Sequence, residues 1–379
     1  MLDLKTTGLQ AQVISVIVPC RNERDHIDVF CASVLEQKIP EGWTIEVLIA
    51  DGKSDDGTRE RLSHWVQEDP RFVLIDNPGR IVSTGLNRCI ERAKGRFIVR
   101  LDVHTVYAHD YIEQCLSAWQ RTGADNVGGP WRAMGMPGQK VQQAIAAAFQ
   151  SKWVSGGAMS RDLEYEGEVD TVYLGAWPRE TFERFGGFDE KLVRNQDDEH
   201  NLRIHKGGGR IWQSAKIRST YHPRASVSDV FRQYRQYGYW KPFVMKKHGQ
   251  AAALRHLIPG LFVAAVASLL MLMLVFGGLT LVARTTSDLK WVSAWGCAIT
   301  SITLMALLLT YGLAVGLVSF SISRSLQGRL LGQLPDVIAA YHFGYGLGSI
   351  RGWWDALVKG KPDPAFGRLT RGRRDQRGG

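Results

Sequence analysis

Short apolar runs alternate with amphipathic stretches along the first 250 residues of the chain. The runs Val13–Val18, Ile45–Ala50, Phe72–Ile75 and Phe97–Leu101 are rich in β-branched residues, and we predict that they are strands. The stretches between them carry apolar residues at helical spacing. Strands that alternate with helices indicate an α/β domain built from βαβ units, with a largely parallel sheet. In such sheets, ligands bind beyond the carboxyl ends of the strands.

Two later stretches are long and apolar enough to cross a membrane. Leu257–Ala283 and Val292–Ser323 contain no charged residue, and each exceeds the roughly 20 residues that a transmembrane helix needs. Core helices of soluble proteins are rarely uncharged over such a length, so we predict two transmembrane helices. A third segment, Pro335–Ile350, is shorter and carries Asp336 and His342. It fits an interfacial, a re-entrant or a spanning helix.

The net charge of +10 is unevenly distributed, since residues 351–379 carry eight Lys or Arg against three Asp. Basic residues beside membrane spans follow the positive-inside rule and attract anionic headgroups, so we expect membrane lipid, and no nucleic acid, as a partner. If the third segment crossed, this tail would lie outside, which favours an interfacial or re-entrant helix. The predicted domains are a cytoplasmic α/β domain over 1–250, a membrane region over 251–350 and a basic cytoplasmic tail over 351–379.

The start of the chain bears on localisation. Met1–Gln12 is polar, and the first apolar run is too short for the core of a signal peptide. The five cysteines form no CxxC pair and show no metal-like spacing, which agrees with a reducing compartment. We therefore expect an inner (cytoplasmic) membrane protein whose α/β domain faces the cytoplasm.

Polar residues follow the second predicted strand. Asp51 comes directly after it, where a carboxylate is well placed to accept hydrogen bonds from a ribose or a base. Ser54, Asp55 and Asp56 fit a binding role, and they equally fit a tight turn that caps the next helix. No GxGxxG motif follows the first strand and no P-loop is present, so a dinucleotide-binding Rossmann domain is disfavoured.

The fourth strand ends in a candidate metal site. Alternation along an extended chain places Asp102 and His104 on one face. Two such ligands suit a divalent cation with open positions for phosphate oxygens, and the imidazole makes Mn²⁺ a candidate beside Mg²⁺. A surface aspartate near an unrelated histidine explains the same two residues without a metal.

Three consecutive acids, Asp197, Asp198 and Glu199, lie within residues 194–203. Adjacent carboxylates repel one another unless a positive or reactive group is close by, so the run is a candidate for chemistry. A solvated charge cluster on the surface is the alternative interpretation.

The order and spacing of these motifs over about residues 12–240 resemble family 2 glycosyltransferases of the GT-A fold, a Rossmann-like nucleotide-diphospho-sugar transferase fold. The motifs that carry the resemblance are Pro19–Glu23, Asp51–Thr58, Asn87 with Ala93-Lys94-Gly95, Asp102–His104, Gly186–Asp189 and Gln196–Glu199. Within the family, the histidine of Asp-Val-His and the membrane-spanning C-terminus resemble the ExoA group of succinoglycan biosynthesis proteins. That group adds a sugar to a polyprenyl-diphosphate-linked acceptor during exopolysaccharide assembly.

The resemblance implies a donor pocket and a metal motif. Asp51 would bind the uracil or ribose of a nucleotide-sugar donor, in a pocket lined by the further donor-binding residues Pro19, Glu23, Asn87 and Asp102. The family's Asp-X-Asp motif falls on Asp102-Val103-His104, so His104 replaces its last acid. The expected cofactor is a divalent cation, Mn²⁺ or Mg²⁺.

The resemblance also implies a catalytic base. The family's Glu-Asp pair falls on Gln196 and Asp197, which makes Asp197 the base, with Asp198 and Glu199 as neighbours whose charge would raise its pKa. The base would take the proton of an acceptor hydroxyl, whose oxygen displaces the nucleotide diphosphate in one inverting step. This chemistry requires that residues 102–104 and the acidic run share one cleft.

Three further residues are assigned to the acceptor or the diphosphate by the same resemblance. The family's Gln-X-X-Arg-Trp element corresponds loosely to a segment in which Arg232 and Arg235 would grip diphosphate oxygens, although the Trp is missing. Trp177 would stack on an acceptor sugar, and a buried structural role explains that residue equally well.

We therefore predict a membrane-anchored, inverting hexosyltransferase that moves glucose from UDP-glucose onto a polyprenyl-diphosphate-linked sugar in exopolysaccharide or cell-surface glycan biosynthesis, with polysaccharide-assembly proteins as further partners. A processive polysaccharide synthase is a second interpretation, but it needs several helices to form a channel. A catalytically inactive, membrane-tethered nucleotide-sugar sensor or scaffold is a third, because Gln196 and His104 both replace acids.

Overall fold

The computed structural model describes residues 12–250, 253–282 and 287–367 of the chain. The chain forms two compact units: unit 1 is Met1–Met134 with Ala158–His222, and unit 2 is Gly135–Gly157 with Pro223–Gly379. The boundary at His222 falls inside the predicted domain of residues 1–250. The polar start of the chain up to residue 11, and the part of the predicted basic tail from residue 368 onward, lie outside the described residues.

Within the described residues the secondary structure follows the predicted alternation. The strands are β1 (Gln12–Cys20), β2 (Trp43–Asp51), β3 (Phe72–Asp76), β4 (Phe97–Arg100), β5 (Thr105–Tyr107), β6 (Asn126–Gly129), β7 (Gly167–Glu168), β8 (Tyr173–Pro178), β9 (Ile211–Gln213) and β10 (Ser219–Tyr221). The α-helices are α1 (Arg24–Leu35), α2 (Thr58–Glu68), α3 (Val82–Arg92), α4 (Tyr111–Thr122), α5 (Lys140–Gln150), α6 (Arg179–Phe185), α7 (Gln196–Lys206), α8 (Val227–His248), α9 (Ile258–Val282), α10 (Ser287–Ser325) and α11 (Leu334–Trp354). The first four strands confirm the four predicted from apolar runs.

Unit 1 is built on an eight-stranded sheet in the order β3-β2-β1-β4-β8-β6-β9-β7. The pairs β1–β2, β2–β3 and β1–β4 are parallel, as the βαβ pattern predicts. Strand β8 then enters antiparallel to both β4 and β6. The sheet is therefore parallel in the half that carries the predicted donor motifs and mixed in the other half. Strands β5 and β10 form a separate antiparallel pair.

The core of unit 1 lies on both faces of this sheet. In β1, Ile14, Val16 and Val18 point to one face, where α1, α2 and α4 pack. Ile17 points to the other face, where α3, α6 and α7 pack. Because both faces are covered, residues 13–18 of β1 are apolar except for Ser15 and lack the alternation of a half-exposed strand.

In unit 2, two helical stretches of the described residues are long and apolar enough to cross a membrane: Leu254–Val282 and Lys290–Ser325. Only 6% and 11% of the residues in their most apolar windows are buried. A core helix of a soluble protein would be mostly buried, so these helices present their apolar side chains outward. They correspond to the two predicted spans, and they suggest that the protein associates with a membrane.

The third apolar segment forms α11, which packs along α8 through glycines. A Cβ on Gly344, Gly348 or Gly352, which are spaced four residues apart, would lie 2.7 Å, 2.1 Å and 2.2 Å, respectively, from a carbonyl oxygen of α8. Residues at this spacing share one face of a helix, so at these three positions α11 presents no side chain to α8. The two backbones can approach closely for that reason.

We predict that Gly348→Ala strongly destabilises unit 2. The added Cβ would lie 2.1 Å from the carbonyl oxygen of Arg235, and a backbone atom cannot move aside as a flexible side chain does. Overpacking of this kind costs about 3 kcal/mol or more. The measurement is the thermal unfolding midpoint of the full chain in detergent, followed by size-exclusion chromatography.

Gly312→Ala in α10 is the matched control, because a Cβ there meets nothing within 4 Å. It should leave the midpoint unchanged or raise it slightly, since alanine favours helix over glycine. Equal midpoints for the two variants would contradict the close packing of α8 and α11.

Candidate active site

The order of strands in unit 1 reverses at β1, because β2 and β3 lie on one side of it and β4 lies on the other. Strands β1, β2 and β4 are mutually parallel, so their carboxyl ends reach the same edge of the sheet. The crevice at such a reversal is where open α/β sheets bind ligands. The motifs predicted after these three strands therefore meet at one edge.

The loops after β1 and β2 are tied to each other by hydrogen bonds. The Asn22 backbone N–H donates to Ser54 Oγ at 2.9 Å, and the Asn22 side chain exchanges hydrogen bonds with Asp55 at 2.9 and 3.0 Å. The backbone N–H of Glu23 donates to Thr58 Oγ1 at 2.8 Å. Ser54 and Asp55 thus take part in building the turn, one of the two roles that the sequence left open for them.

Asp51 is fully buried at the end of β2. Its carboxylate accepts from Ser54 Oγ at 2.6 Å and from Arg59 Nη1 at 3.1 Å, and Arg59 also pairs with Asp76 at 2.7 Å. A buried carboxylate is costly unless it is paired and hydrogen-bonded, and these contacts meet that requirement. They also fix the orientation of Asp51 at the crevice. Pro19, half-buried in β1, is the register partner of Ala50 beside it.

Arg100 joins the two predicted parts of the catalytic site. It lies in β4 with only 4% of its surface exposed. Its Nε donates to Asp102 Oδ1 at 3.0 Å, and its Nη1 donates to Asp197 Oδ1 at 2.5 Å. One guanidinium thus contacts both the strand-end acid and the acidic run, so the two lie close together, as the predicted shared cleft requires.

The surroundings of Asp197 shift the pKa of its carboxyl group. Desolvation by the surrounding protein raises its pKa, and the charges of Asp102 and Asp198 raise it further, while Arg100 opposes the shift. The net pKa is raised above that of an ordinary aspartate. A carboxylate base becomes more effective as its pKa approaches the working pH. With 38% of its side chain exposed, Asp197 remains reachable by an acceptor.

His104, the other predicted metal ligand, lies beside the loop that follows β1. Its Nδ1 is 3.3 Å from Glu23 Oε1. Among the residues that the structure describes, no group of three or more His, Cys, Asp or Glu side chains is arranged to hold a metal ion. A site completed by phosphate oxygens needs fewer protein ligands, and the carboxylate and imidazole of Asp102 and His104 are donors that suit Mn²⁺.

The acidic run forms the first turn of α7. Asn195, just before it, adopts a left-handed backbone conformation with φ of 61°, which asparagine tolerates better than most residues. Glu199 is fully buried and pairs with Arg203 at 2.7 Å, so its role is structural. Gln196 is also buried, and its Oε1 has no hydrogen-bond partner in the described part of the chain.

Asn87 holds the loop that leads to the acidic run. Its Oδ1 accepts from the backbone N–H of Phe188 at 2.8 Å, and its Nδ2 donates to Phe188 O and Glu190 Oε1, both at 2.9 Å. Both amide hydrogens are used in these contacts, and Oδ1 accepts one hydrogen bond. Asn87 thus positions this loop, and its predicted contact with the donor stays a prediction.

Trp177 lies in the core, where 2% of its surface is exposed. Its ring contacts Phe182, Phe188 and His200 at centroid distances of 5.5, 5.9 and 6.1 Å. The predicted stacking on an acceptor sugar is wrong, because a ring buried to this extent has no face free for a ligand. The buried structural role is the one observed.

The two predicted diphosphate-binding arginines belong to unit 2. Arg232 is exposed on α8 and pairs with Asp229. Arg235 lies over the ring of Phe366 at 5.1 Å. Their role toward a diphosphate stays a prediction.

Our sequence interpretation missed two features of the site. The sequence could have indicated Arg100, because alternation along a strand places residues two apart, such as Arg100 and Asp102, on the same side. An aromatic cluster near His104 carried none: Trp131 stacks on Tyr173 at 5.3 Å, and Tyr221 packs edge-on against both. These three residues come from distant parts of the chain.

Comparison with known proteins agrees with this geometry. Residues 15–175 match the sequence model of glycosyl transferase family 2. The succinoglycan biosynthesis protein ExoA of Rhizobium meliloti is 34% identical over 246 residues, which cover 64% of this chain and 73% of that protein. A dolichyl N-acetyl-alpha-D-glucosaminyl phosphate 3-beta-D-2,3-diacetamido-2,3-dideoxy-beta-D-glucuronosyltransferase of Methanococcus voltae is 26% identical over 240 residues, 62% of this chain and 74% of that one.

A solved structure shows the same fold. The mannosyltransferase PcManGT from Pyrobaculum calidifontis, in complex with GDP-Man and Mn²⁺, aligns with a TM-score of 0.53 and 18% identity over 90% of this chain and 87% of that one. The predicted GT-A fold is thereby confirmed. The fold, the match to the family and the identity to ExoA together show that this chain belongs to glycosyltransferase family 2.

Proposed function

We propose that this glycosyltransferase transfers a hexose, glucose from UDP-glucose, to a polyprenyl-diphosphate-linked sugar with inversion at the anomeric carbon. The family supports the coarser statement that it acts in polysaccharide or glycan biosynthesis. The observation that supports the chemistry most directly is the contact of Arg100 with both Asp102 and Asp197. It brings a base with a raised pKa next to the strand end at which the donor's diphosphate would bind.

In this mechanism Asp197 takes the proton of the acceptor hydroxyl. The freed electron pair of that oxygen attacks the anomeric carbon as the bond to the nucleotide diphosphate breaks. Inversion turns an α-linked donor into a β-linked product in a single displacement, with no covalent intermediate. Asp198 acts as a neighbour whose charge keeps the pKa of Asp197 high.

Donor binding is assigned to the crevice between β1 and β4. Asp51 would accept hydrogen bonds from the nucleoside, with Pro19 and Glu23 lining the same pocket. Asp102 and His104 would hold a divalent cation, Mn²⁺ or Mg²⁺, which neutralises the charge that develops on the diphosphate. The Mn²⁺ in the complex of the mannosyltransferase PcManGT supports this assignment.

The acceptor and the location are inferred from the relatives and the apolar helices. The succinoglycan protein supports an exopolysaccharide product, and the Methanococcus voltae enzyme supports an acceptor sugar carried on a polyprenyl lipid. Helices α9 and α10 anchor the chain in the cytoplasmic membrane. Two crossings return the chain to its starting side, so the catalytic unit and the basic tail both face the cytoplasm.

Two alternatives predict different products. A processive synthase would add many sugars, but the described residues contain only two helices long and apolar enough to span. An inactive sensor or scaffold would bind the donor without turnover.

The experiment is to incubate the full chain in nanodiscs with radiolabelled UDP-glucose and extracted polyprenyl-linked acceptor. We expect one sugar per acceptor together with release of UDP, whereas many sugars, or binding without release, would support the alternatives.

We predict that Asp51→Asn weakens binding of the donor nucleotide. Loss of a hydrogen bond to a charged group costs about 1.5–3 kcal/mol, which corresponds to a roughly 10- to 100-fold higher dissociation constant for UDP. Calorimetric titration of UDP into the full chain measures the change.

Asp76→Asn provides the matched control, because Asp76 pairs with the same arginine, Arg59, but is 76% exposed. It should leave the affinity for UDP almost unchanged. If both variants bind UDP as the parent does, Asp51 does not contact the nucleotide.

A further inference from the structure

The turn that follows α5 in unit 2 exposes a tryptophan. This turn, residues 151–157, carries Trp153 with 69% of its surface exposed. Lys152 lies against the same ring, with its Nζ 5.7 Å from the centroid. An exposed indole beside a lysine is unusual on a surface that meets only water, because indole favours a boundary between apolar and polar surroundings.

Hydrogen bonds within the turn and a contact with α11 fix its conformation. The backbone N–H of Ser155 donates to Ser151 O at 3.0 Å, and that of Gly157 donates to Lys152 O at 2.8 Å. Val154 is buried, and its backbone hydrogen-bonds with the His342 side chain of α11. The outward position of Trp153 is thus fixed by its neighbours.

The turn adjoins the start of the first membrane-spanning helix. A Cβ on Gly156 would lie 2.9 Å from Cβ of Arg255, which comes just before α9. Leu254, just before α9, and Ile258 and Leu261, at its start, are also exposed, at 79%, 62% and 66%. The turn therefore adjoins the exposed apolar start of α9.

Contacts among the helices place the turn near that entry point. Tyr311 of α10 stacks on Phe262, which lies one turn into α9, at a centroid distance of 4.7 Å. The Tyr311 hydroxyl is 3.2 Å from Nδ1 of His342, the residue that also contacts Val154. Val154 of the turn is thus linked to Phe262 of α9 through two residues, His342 and Tyr311.

We propose that this turn inserts into the leaflet that α9 enters, with the Trp153 indole at the boundary between headgroups and acyl chains. Tryptophan is enriched at that depth, because its ring is apolar and its N–H reaches polar groups. Lys152 lies against the indole, and Arg255 adjoins Gly156 of the same turn, so both cations lie near the place where the turn would meet anionic phospholipid headgroups. The turn lies in Gly135–Gly157, the segment that connects the two sequence stretches of unit 1. The proposed lipid contact is therefore not confined to the C-terminal helices.

The test measures the depth of a fluorescent label. Cys297 is first replaced by serine, since the other four cysteines are buried. Trp153→Cys is then labelled with bimane in the full chain and placed in nanodiscs of phosphatidylcholine and phosphatidylglycerol. We expect a doxyl group near the headgroup end of the acyl chains to quench the label about twofold, and a doxyl group near the methyl end to quench it less. Aqueous iodide should quench it weakly.

Two control positions calibrate the measurement. A label at Val29→Cys, on the exposed surface of α1, should be quenched by iodide and not by the lipids. A label at Leu272→Cys, in the middle of α9, should be quenched by the deep doxyl group. The inference rests on the membrane anchoring proposed above, and the Leu272 label tests that anchoring separately.

The outcomes distinguish the two proposals. If Leu272 responds to the lipid quenchers while Trp153 behaves like Val29, the turn lies in water and the inference is overturned, although the anchoring stands. If Leu272 does not respond, the anchoring itself is wrong. Lys152→Cys labels the neighbouring residue of the same turn, and it decides the question if Trp153→Cys fails to fold.

Discussion

Replacement of Asp197 by asparagine should reduce sugar transfer by about 10²- to 10⁴-fold, the usual contribution of a positioned general base. The amide keeps the size of the carboxylate but cannot accept the acceptor's proton. Donor binding should change little, because Asp51 lies at the end of β2, whereas Asp197 lies in the first turn of α7. The measurement is kcat/KM for transfer, together with the dissociation constant of UDP for the same protein.

Asp198→Asn is the matched control in the same turn of α7. It removes a neighbouring charge that raises the pKa of Asp197, so it should lower that pKa and cause a much smaller loss of transfer. If Asp198→Asn abolished transfer while Asp197→Asn retained it, the base would be Asp198.

The pH dependence gives a second signature of the same base. Only the ionised carboxylate accepts a proton, so transfer should fall as the pH drops through the pKa of Asp197. Because that pKa is raised, the decline should begin at a higher pH than an ordinary aspartate would allow. Asp198→Asn should shift the decline to lower pH.

The second large effect is expected for Arg100→Met, which removes the buried cation between Asp102 and Asp197. Breaking a buried ion pair leaves uncompensated charge. We expect a cost on the order of 3 kcal/mol, at the low end for such pairs, because both carboxylates keep some exposure to water. Arg100 also lowers the pKa of Asp197, so in the variant the decline of transfer should move to higher pH. Thermal unfolding and the pH profile of transfer measure the two effects.

Two further variants of the chain serve as controls for this prediction. Arg61→Met removes an arginine whose partner, Asp28, is 45% exposed, and it should change stability by less than about 0.5 kcal/mol. Adding Asp102→Asn to Arg100→Met should restore part of the lost stability, because only one of the two carboxylates is then left without its cation. If Arg100→Met had the same unfolding midpoint and the same pH profile of transfer as the parent protein, Arg100 would not organise the site.

Much of the fold could be predicted because its signals are local. A strand covered on both faces, such as β1 or β2, leaves a short apolar run, and a membrane span leaves a long uncharged one. Asp51 and Asp102 could be placed for a related reason, since each comes directly after such a run. The motif order then indicated the family.

Other parts of the site could not be predicted because they depend on which distant segments meet. The resemblance suggested that Trp177 stacks on an acceptor sugar, whereas Trp177 lies in β8, a strand inserted antiparallel between β4 and β6. That insertion buries Trp177. The hydrogen bonds by which Asn87 holds the loop at Phe188 also join residues about 100 positions apart, and no local pattern predicted them.

The sequence by itself determined the α/β character of the first half, the two apolar helices and the carboxylates available for chemistry, because each follows from neighbours within a few residues. Only the tertiary structure decided that Arg100 would join Asp102 to Asp197, that glycines would let α11 pack on α8, and that Trp153 would face outward next to α9. Those contacts join residues far apart in the chain. They depend on the packing of whole elements, which no local pattern records.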